Sequence, residues 1–117
     1  MQEYRWSIHL ANLDPVIGSE QGKTRPVLII SDERINQKLS TINVLPITSR
    51  KSGRVIYPNE VLLPAGTSGL TKESLVLCQQ IRTLDKKRLI KFIGILEDSD
   101  LQNNIYEALK LQLALNS

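Results

Sequence analysis

Gly18-Ser19-Glu20-Gln21-Gly22-Lys23-Thr24-Arg25-Pro26-Val27-Leu28-Ile29-Ile30-Ser31 contains the change of character on which the fold turns. Its first half is polar and carries two glycines. Its second half is an unbroken apolar run opened by a proline. Proline is tolerated at the first position of a strand. A short apolar run bounded by turn signals reads as a strand buried on both faces. The stretch Val16 to Thr24 therefore reads as a polar loop, long for a simple hairpin, feeding that strand. Ahead of it, Ser7 to Asn12 alternates polar and apolar, which predicts a half-buried strand ended by Leu13-Asp14-Pro15.

Further strand signals follow. Ile42 to Ser49 reads as a strand, and Pro46 within it predicts an edge or a bulge. Arg50-Lys51-Ser52-Gly53-Arg54 is a basic loop. Val55 to Tyr57 and Glu60 to Leu63 read as short extended pieces around Pro58-Asn59, and Pro64 to Gly69 as a turn region. Ser74 to Leu84 reads as one long strand. Asp85 is placed to cap a single helical turn over Lys86-Lys87-Arg88. Phe92 to Leu96 is a last strand, after which Asp98 or Ser99 caps a terminal helix. Leu101, Ile105, Ala108, Leu109 and Leu113 fall at helical spacing and give that helix one apolar face. Many short strands, one short helical turn and one docked terminal helix predict a small antiparallel β-barrel of α+β type.

Length and composition bound the chemistry. The 117 residues make one domain, 1–117, large enough for a core without disulfides. With 41% hydrophobic and 23% charged residues the composition is that of a globular chain. His9 and Cys78 are its one histidine and one cysteine, so no internal disulfide and no zinc site of Cys and His ligands can form. A hydrolase built on two histidines of one chain is excluded. Five aromatics argue against a sheet that stacks several bases. The net charge of +3 is unevenly spread: the first 92 residues carry 14 basic and 8 acidic groups, and the rest is net −3. Such a basic body attracts polyanions, the alternative being an ordinary solvated surface. The start of the chain lacks a signal-peptide pattern, and no apolar run reaches the ~20 residues that span a bilayer. The expected location is cytoplasmic, with no membrane partner.

Three polar segments stand out against the apolar strands. The glycines of Gly18 to Gly22 permit backbone turns that aim N–H groups at an anion, although the P-loop spacing is absent, Ile17 standing where its first glycine belongs. Arg25 follows, its guanidinium a fork suited to phosphate, or else an ordinary surface arginine. Thr48-Ser49-Arg50 ends a strand. Gln79-Gln80-Ile81-Arg82-Thr83 is oddly polar for a strand; either this face lines a groove, or Arg82 pairs with Asp85. His9 reads as a packed or surface residue, and Cys78 as an inert core thiol.

These segments also carry a resemblance. Asn12 to Ser31, with its Gly-Ser-Glu-Gln-Gly and Arg-Pro-Val blocks, is similar to the opening of the MazF/PemK toxins. Leu45-Pro46-Ile47-Thr48-Ser49 and Gln79-Gln80-Ile81-Arg82-Thr83-Leu84-Asp85 resemble later blocks of that family in the same order. The likeness runs from about residue 8 to the C-terminus. One departure is Arg5-Trp6-Ser7, where members commonly carry an Arg-Gly-Asp-like stretch.

The resemblance implies an SH3-like or CcdB-like barrel, a homodimer, and a toxin endoribonuclease that cleaves single-stranded RNA and is neutralised by a cognate antitoxin. It implies 2′-OH attack giving 2′,3′-cyclic phosphate and 5′-OH ends, with no cofactor and no metal. Arg25 and Thr48 fall on the family's catalytic pair. Ser19, Glu20 and Gln21 fall on a loop that contacts RNA, and Ser49, Arg50, Gln80 and Arg82 near the substrate groove. A CcdB-like toxin that binds DNA gyrase and an RNA-binding homologue with weakened catalysis are the competing readings.

Overall fold

Val27, Leu28 and Ile29 are fully buried, as the unbroken apolar run requires. The computed structural model describes residues 3–115 and shows why both faces are covered. The strands are β1 (Ser7–Asn12), β2 (Thr24–Ile29), β3 (Thr41–Ser49), β4 (Glu60–Leu63), β5 (Ser74–Leu77), β6 (Arg82–Asp85) and β7 (Leu89–Ile95); the helices are α1 (Glu33–Lys38) and α2 (Ser99–Leu113). Short 3₁₀ turns occupy Cys78–Gln80 and Lys86–Arg88. The antiparallel strands run in the order β4-β5-β3-β2-β1-β7, with β6 also paired to β3. The sheet curls without closing, β4 and β7 forming the two ends of the path.

Alternation along β2 and β3 divides the apolar side chains between two cores. Leu28, Leu45 and Ile47 join Ile8, Leu63, Val76, Leu96 and Ile105 in one. Val27, Ile29, Ile42 and Val44 join Ala11, Leu13 and Leu84 in the other. A period of two thus serves both faces at once. The same arrangement buries Ser7 and His9, so β1 is nearly all inside rather than half-buried. His9 is packed, its Nε2 3.1 Å from Ser7 Oγ, and burial pushes its pKa down.

Pro46 lies in the interior of the sheet, not at an edge. Residues Thr41–Val44 of β3 pair with β6 and Ile47–Ser49 pair with β5. Pro46 falls in the interval between the two partners, where a missing N–H costs no ladder bond on that side. The expected single strand Ser74 to Leu84 is accordingly two strands, β5 and β6, joined by the 3₁₀ turn at Cys78–Gln80. Each half pairs with a different end of β3. Cys78 is buried, and its thiol is pushed up to about 12 by burial, which makes it the inert core thiol anticipated. Residues Val55–Tyr57 form no strand.

Helix α1 carries no apolar stripe. It is held by polar contacts instead: Asp32 accepts from the Arg34 N–H, and Glu33 accepts from the backbone N–H groups of Tyr4 and Arg5. Its Asn36 is fully buried and donates to the Ser31 carbonyl at 2.8 Å. At the other end of the chain Asp98 caps α2 by accepting from Asp100 and Leu101. Ile105 and Ala108 bury into the first core with Leu101 and Leu109 packed against it, while Leu113 is exposed. Asp85 caps the Lys86–Arg88 turn through the Lys87 N–H.

Glu60 anchors β4. Its side chain is fully buried and takes two bonds from Arg54, at 2.7 and 2.9 Å, with others from Gln79 and the Tyr57 N–H. The Arg54 hydrogen bonds, opposed by burial and helped by Gln79, hold its pKa down to about 2 from 4.5. A depressed carboxylate stabilises the fold above its unfolded pKa, and that share is lost as pH falls from about 4.5 to about 2. Glu60→Gln should cost about 2 kcal/mol at pH 7, the partial exposure of Arg54 reducing the effect. Denaturant unfolding at pH 7 and near pH 2 checks this; the gap to the parent chain must shrink at the lower pH.

Candidate active site

The register of β2 on β3 sets Val27 opposite Pro46. The ladder ends at that pair; Arg25 lies two residues before Val27 and Thr48 two residues after Pro46, so by the period of two each shares the face of its member of the pair. Both side chains line one cleft of about 200 Å³, together with Ser49 and, from the segment after the Pro64–Gly69 turn, Thr71 and Lys72. Arg25 Nε donates to the Gly22 carbonyl at 3.0 Å. Among the described residues this is the one hydrogen bond its guanidinium makes, so both Nη groups remain for a ligand.

Ser19, Glu20, Gln80 and Arg82 line a second cleft of about 550 Å³, with Gln79, Ile81 and Thr83. The polar loop that leads into β2 contributes Ser19 and Glu20 to this cleft, and Thr24 and Arg25, where the loop becomes strand, line the first. The loop root is well tied. The Leu13 N–H donates to the Lys23 carbonyl at 2.8 Å and the Lys23 N–H to Asp14 Oδ1 at 2.7 Å. Arg82 Nη1 donates to the Leu13 carbonyl at 3.2 Å, and Arg88 Nη1 to the carbonyls of Asn12 and Asp14. Arg82 therefore braces the loop and forms no pair with Asp85.

A family model described as PemK-like, MazF-like toxin of type II toxin–antitoxin system matches residues 4–113. The chain belongs to this toxin family. It is 39% identical over 111 residues to endoribonuclease EndoA of Bacillus subtilis (strain 168), covering 95% of this chain and 94% of that one. Its structure is similar to that of the Mycobacterium tuberculosis toxin MazF-mt6, with TM-score 0.77 and 30% identity, covering 95% of this chain and 99% of that one. It also resembles MazF in a MazE–MazF crystal structure from Deinococcus radiodurans, with TM-score 0.72 and 29% identity over 98% and 97% of the two chains.

On this toxin the remaining candidates divide by how free their polar atoms are. Arg50 has a fully engaged guanidinium: Nε and Nη2 donate to the Arg54 carbonyl at 3.2 and 3.0 Å, and Nη1 meets Glu73 at 3.2 Å. It closes the basic loop on itself. Glu20 Oε1 accepts from the Ile17 N–H at 2.8 Å and shapes the loop tip. The Gln21 N–H donates to Gln80 Oε1. Ser49 is exposed at the end of β3, opposite Ser74 on β5. Thr71 and Lys72 escaped the reading of the sequence because a cleft that joins β2, β3 and a distant loop leaves no local signal. Their one cue is the Pro64–Gly69 turn just before them. Gln79, held to Glu60 by a 2.7 Å bond, was visible in its polar strand yet not singled out. Among the described residues no three His, Cys, Asp or Glu side chains cluster as metal ligands, and no helix is long and apolar enough to cross a membrane.

Proposed function

We propose that the chain is a toxin endoribonuclease that cleaves single-stranded RNA, with Arg25 and Thr48 as its catalytic residues. The observation that carries this reading is the presence of a guanidinium and a hydroxyl in one cleft, which Lys72 also lines. RNA brings its own nucleophile. The 2′-oxygen bonds to the adjacent phosphorus, the bond from phosphorus to the 5′-oxygen breaks, and the 2′ proton ends on the leaving oxygen. The products are a 2′,3′-cyclic phosphate and a 5′-OH end.

The protein's tasks are to hold the three centres in line and to meet the charge that grows on the phosphoryl oxygens. The free Nη groups of Arg25 meet that charge as a bidentate fork. Thr48 hydrogen-bonds a phosphoryl oxygen or orients the attacking hydroxyl. Lys72 adds positive charge to the same cleft. Ser19, Glu20, Gln21, Ser49, Arg50, Gln80 and Arg82 frame the path of the RNA, Arg50 through the loop it closes. Because Arg25 supplies the positive charge and the substrate the nucleophile, the reaction is metal-independent. A MazE–MazF complex among the similar structures supports a toxin held by a cognate antitoxin protein; the proposed working form is a homodimer in the cytoplasm.

The test is incubation of the purified chain with a mixed-sequence RNA in excess EDTA, followed by sequencing of 5′-OH ends. Discrete cuts bearing 2′,3′-cyclic phosphate are expected. Absence of cutting that a divalent ion restores would overturn the metal-free scheme, and absence of cutting under any condition would overturn the enzyme reading.

A further inference from the structure

Gln80 reaches the polar loop with both ends of its amide. Its Oε1 accepts from the Gln21 N–H at 3.3 Å and its Nε2 donates to the Ser19 carbonyl at 3.2 Å. Among the described residues these are the hydrogen bonds that tie Ser19–Gln21 to the body of the chain, whereas the loop root has bonds from β6, the Lys86–Arg88 turn and Lys23. The closed tip also carries a cost: Gln21 Oε1 is buried without a partner. A buried unpaired acceptor favours opening, and the two Gln80 bonds offset it.

What the tip does reaches Arg25 in one step. Gly22 follows Gln21, and its carbonyl accepts from Arg25 Nε. Gly22 has no slack on its Cα side, since a Cβ there would stand 2.6 Å from Val16 Cγ2 and 2.7 Å from Asp14 Oδ1. A shift at Gln21 is therefore passed along the chain to the carbonyl that orients the guanidinium.

Resting on the RNA-cleavage reading above, we propose that Gln80 is a positioning residue: it latches the Ser19–Gln21 loop and, through the Gly22 carbonyl, sets the direction of Arg25. Gln80 thereby acts on the rate of the chemical step and not only as a contact for RNA.

The experiment compares Gln80→Leu and Gln80→Glu with the parent in two measurements. The first is amide hydrogen exchange at Gln21 in the RNA-free protein. The second is single-turnover cleavage across RNA concentration, separating the saturating rate from the half-saturating concentration. Gln80→Leu should speed Gln21 exchange and lower the saturating rate about tenfold or more, since small misplacements of a catalytic group carry losses of that order. Its half-saturating concentration should change by less than about threefold, because no phosphate-binding charge is lost. Gln80→Glu keeps the acceptor for the Gln21 N–H. It loses the donor to the Ser19 carbonyl and sets a carboxylate oxygen there instead. It should therefore recover Gln21 protection and the saturating rate only in part, to a level between Gln80→Leu and the parent, while its added negative charge raises the half-saturating concentration.

Unchanged Gln21 exchange in Gln80→Leu would overturn the latch. So would a loss confined to the half-saturating concentration in both variants, which would make Gln80 a direct RNA contact. If the parent itself cuts no RNA, it is the enzyme reading that fails, and Gln21 exchange still decides whether Gln80 holds the loop.

Discussion

Arg25→Ala should lower single-turnover RNA cleavage by about 10²–10³-fold or more while leaving thermal unfolding close to that of the parent. The asymmetry follows from what the side chain touches. Among the described residues it makes one hydrogen bond, to the Gly22 carbonyl, and it is only partly buried. A single partly exposed bond contributes about 1 kcal/mol to stability. In the proposed reaction the same side chain faces charge that exists only as the phosphorus becomes five-coordinate, and a donor aimed there acts on the barrier in full. Arg25→Lys is the sharper variant. It keeps the charge but loses both the bond to Gly22 and the planar fork, so it should recover little of the lost rate. Near-parental cleavage by purified, folded Arg25→Ala would remove Arg25 from the mechanism. Recovery by Arg25→Lys would reduce its part to unspecific positive charge.

How far the sequence could be read depended on whether the signal was local. Val27-Leu28-Ile29 announced a strand covered on both faces, and the two cores explain that burial. Asp98 and the spaced residues after it announced α2. Pro46 signals a missing N–H, which suits any place without a ladder partner and not only an edge, and β3 has such a place in mid-sheet because it changes partners there. The same change of partner broke the expected strand Ser74 to Leu84, since its polar middle, Gln79-Gln80, is the turn between β5 and β6. Helix α1 was invisible because polar caps and the buried Asn36 hold it, and neither leaves an apolar period. At the site, the types of Arg25 and Thr48 were legible and their union is a property of strand register, which no short window contains. The braces supplied by Arg82 and Arg88 are contacts of loop carbonyls, and a carbonyl carries no sequence signature.

A second class of residue controls the site without polar atoms. A Cβ on Gly94 would lie 2.2 Å from the Ser68 carbonyl oxygen and 3.2 Å from the Gly69 nitrogen. A Cβ on Gly69, whose φ is +84°, would lie 2.4 Å from the Ile93 carbonyl oxygen. The turn after β4 is thus laid directly on the backbone of β7. It sits where β7 departs from even pairing with β1, Ile8 facing Gly94 and His9 facing Phe92 so that Ile93 is the extra residue. Gly94 has no left-handed φ, so closeness alone demands glycine there. The contact serves the site because Leu70 is buried in the first core and, with Thr71 and Lys72, lines the cleft of Arg25 and Thr48.

Gly94→Ala must therefore push the turn off β7, draw Leu70 outward and move Thr71 and Lys72. Backbone atoms cannot rotate aside as a side-chain end can. Overpacking of this kind costs about 3 kcal/mol, which for a chain of this size lowers Tm by about 10 °C or more. Cleavage should also fall at temperatures where the variant is fully folded, because the far wall of the cleft has shifted. Gly53→Ala is the control. Gly53 has φ +77° and nothing within 4 Å of an added Cβ, so it carries backbone strain alone, about 1 kcal/mol, and sets the scale of a mild loss of stability. Thermal unfolding and cleavage by the two variants, measured side by side, decide the matter. If Gly94→Ala proves as mild as Gly53→Ala, the turn is free to lift from β7, and the wall carrying Thr71 and Lys72 is not held by that contact.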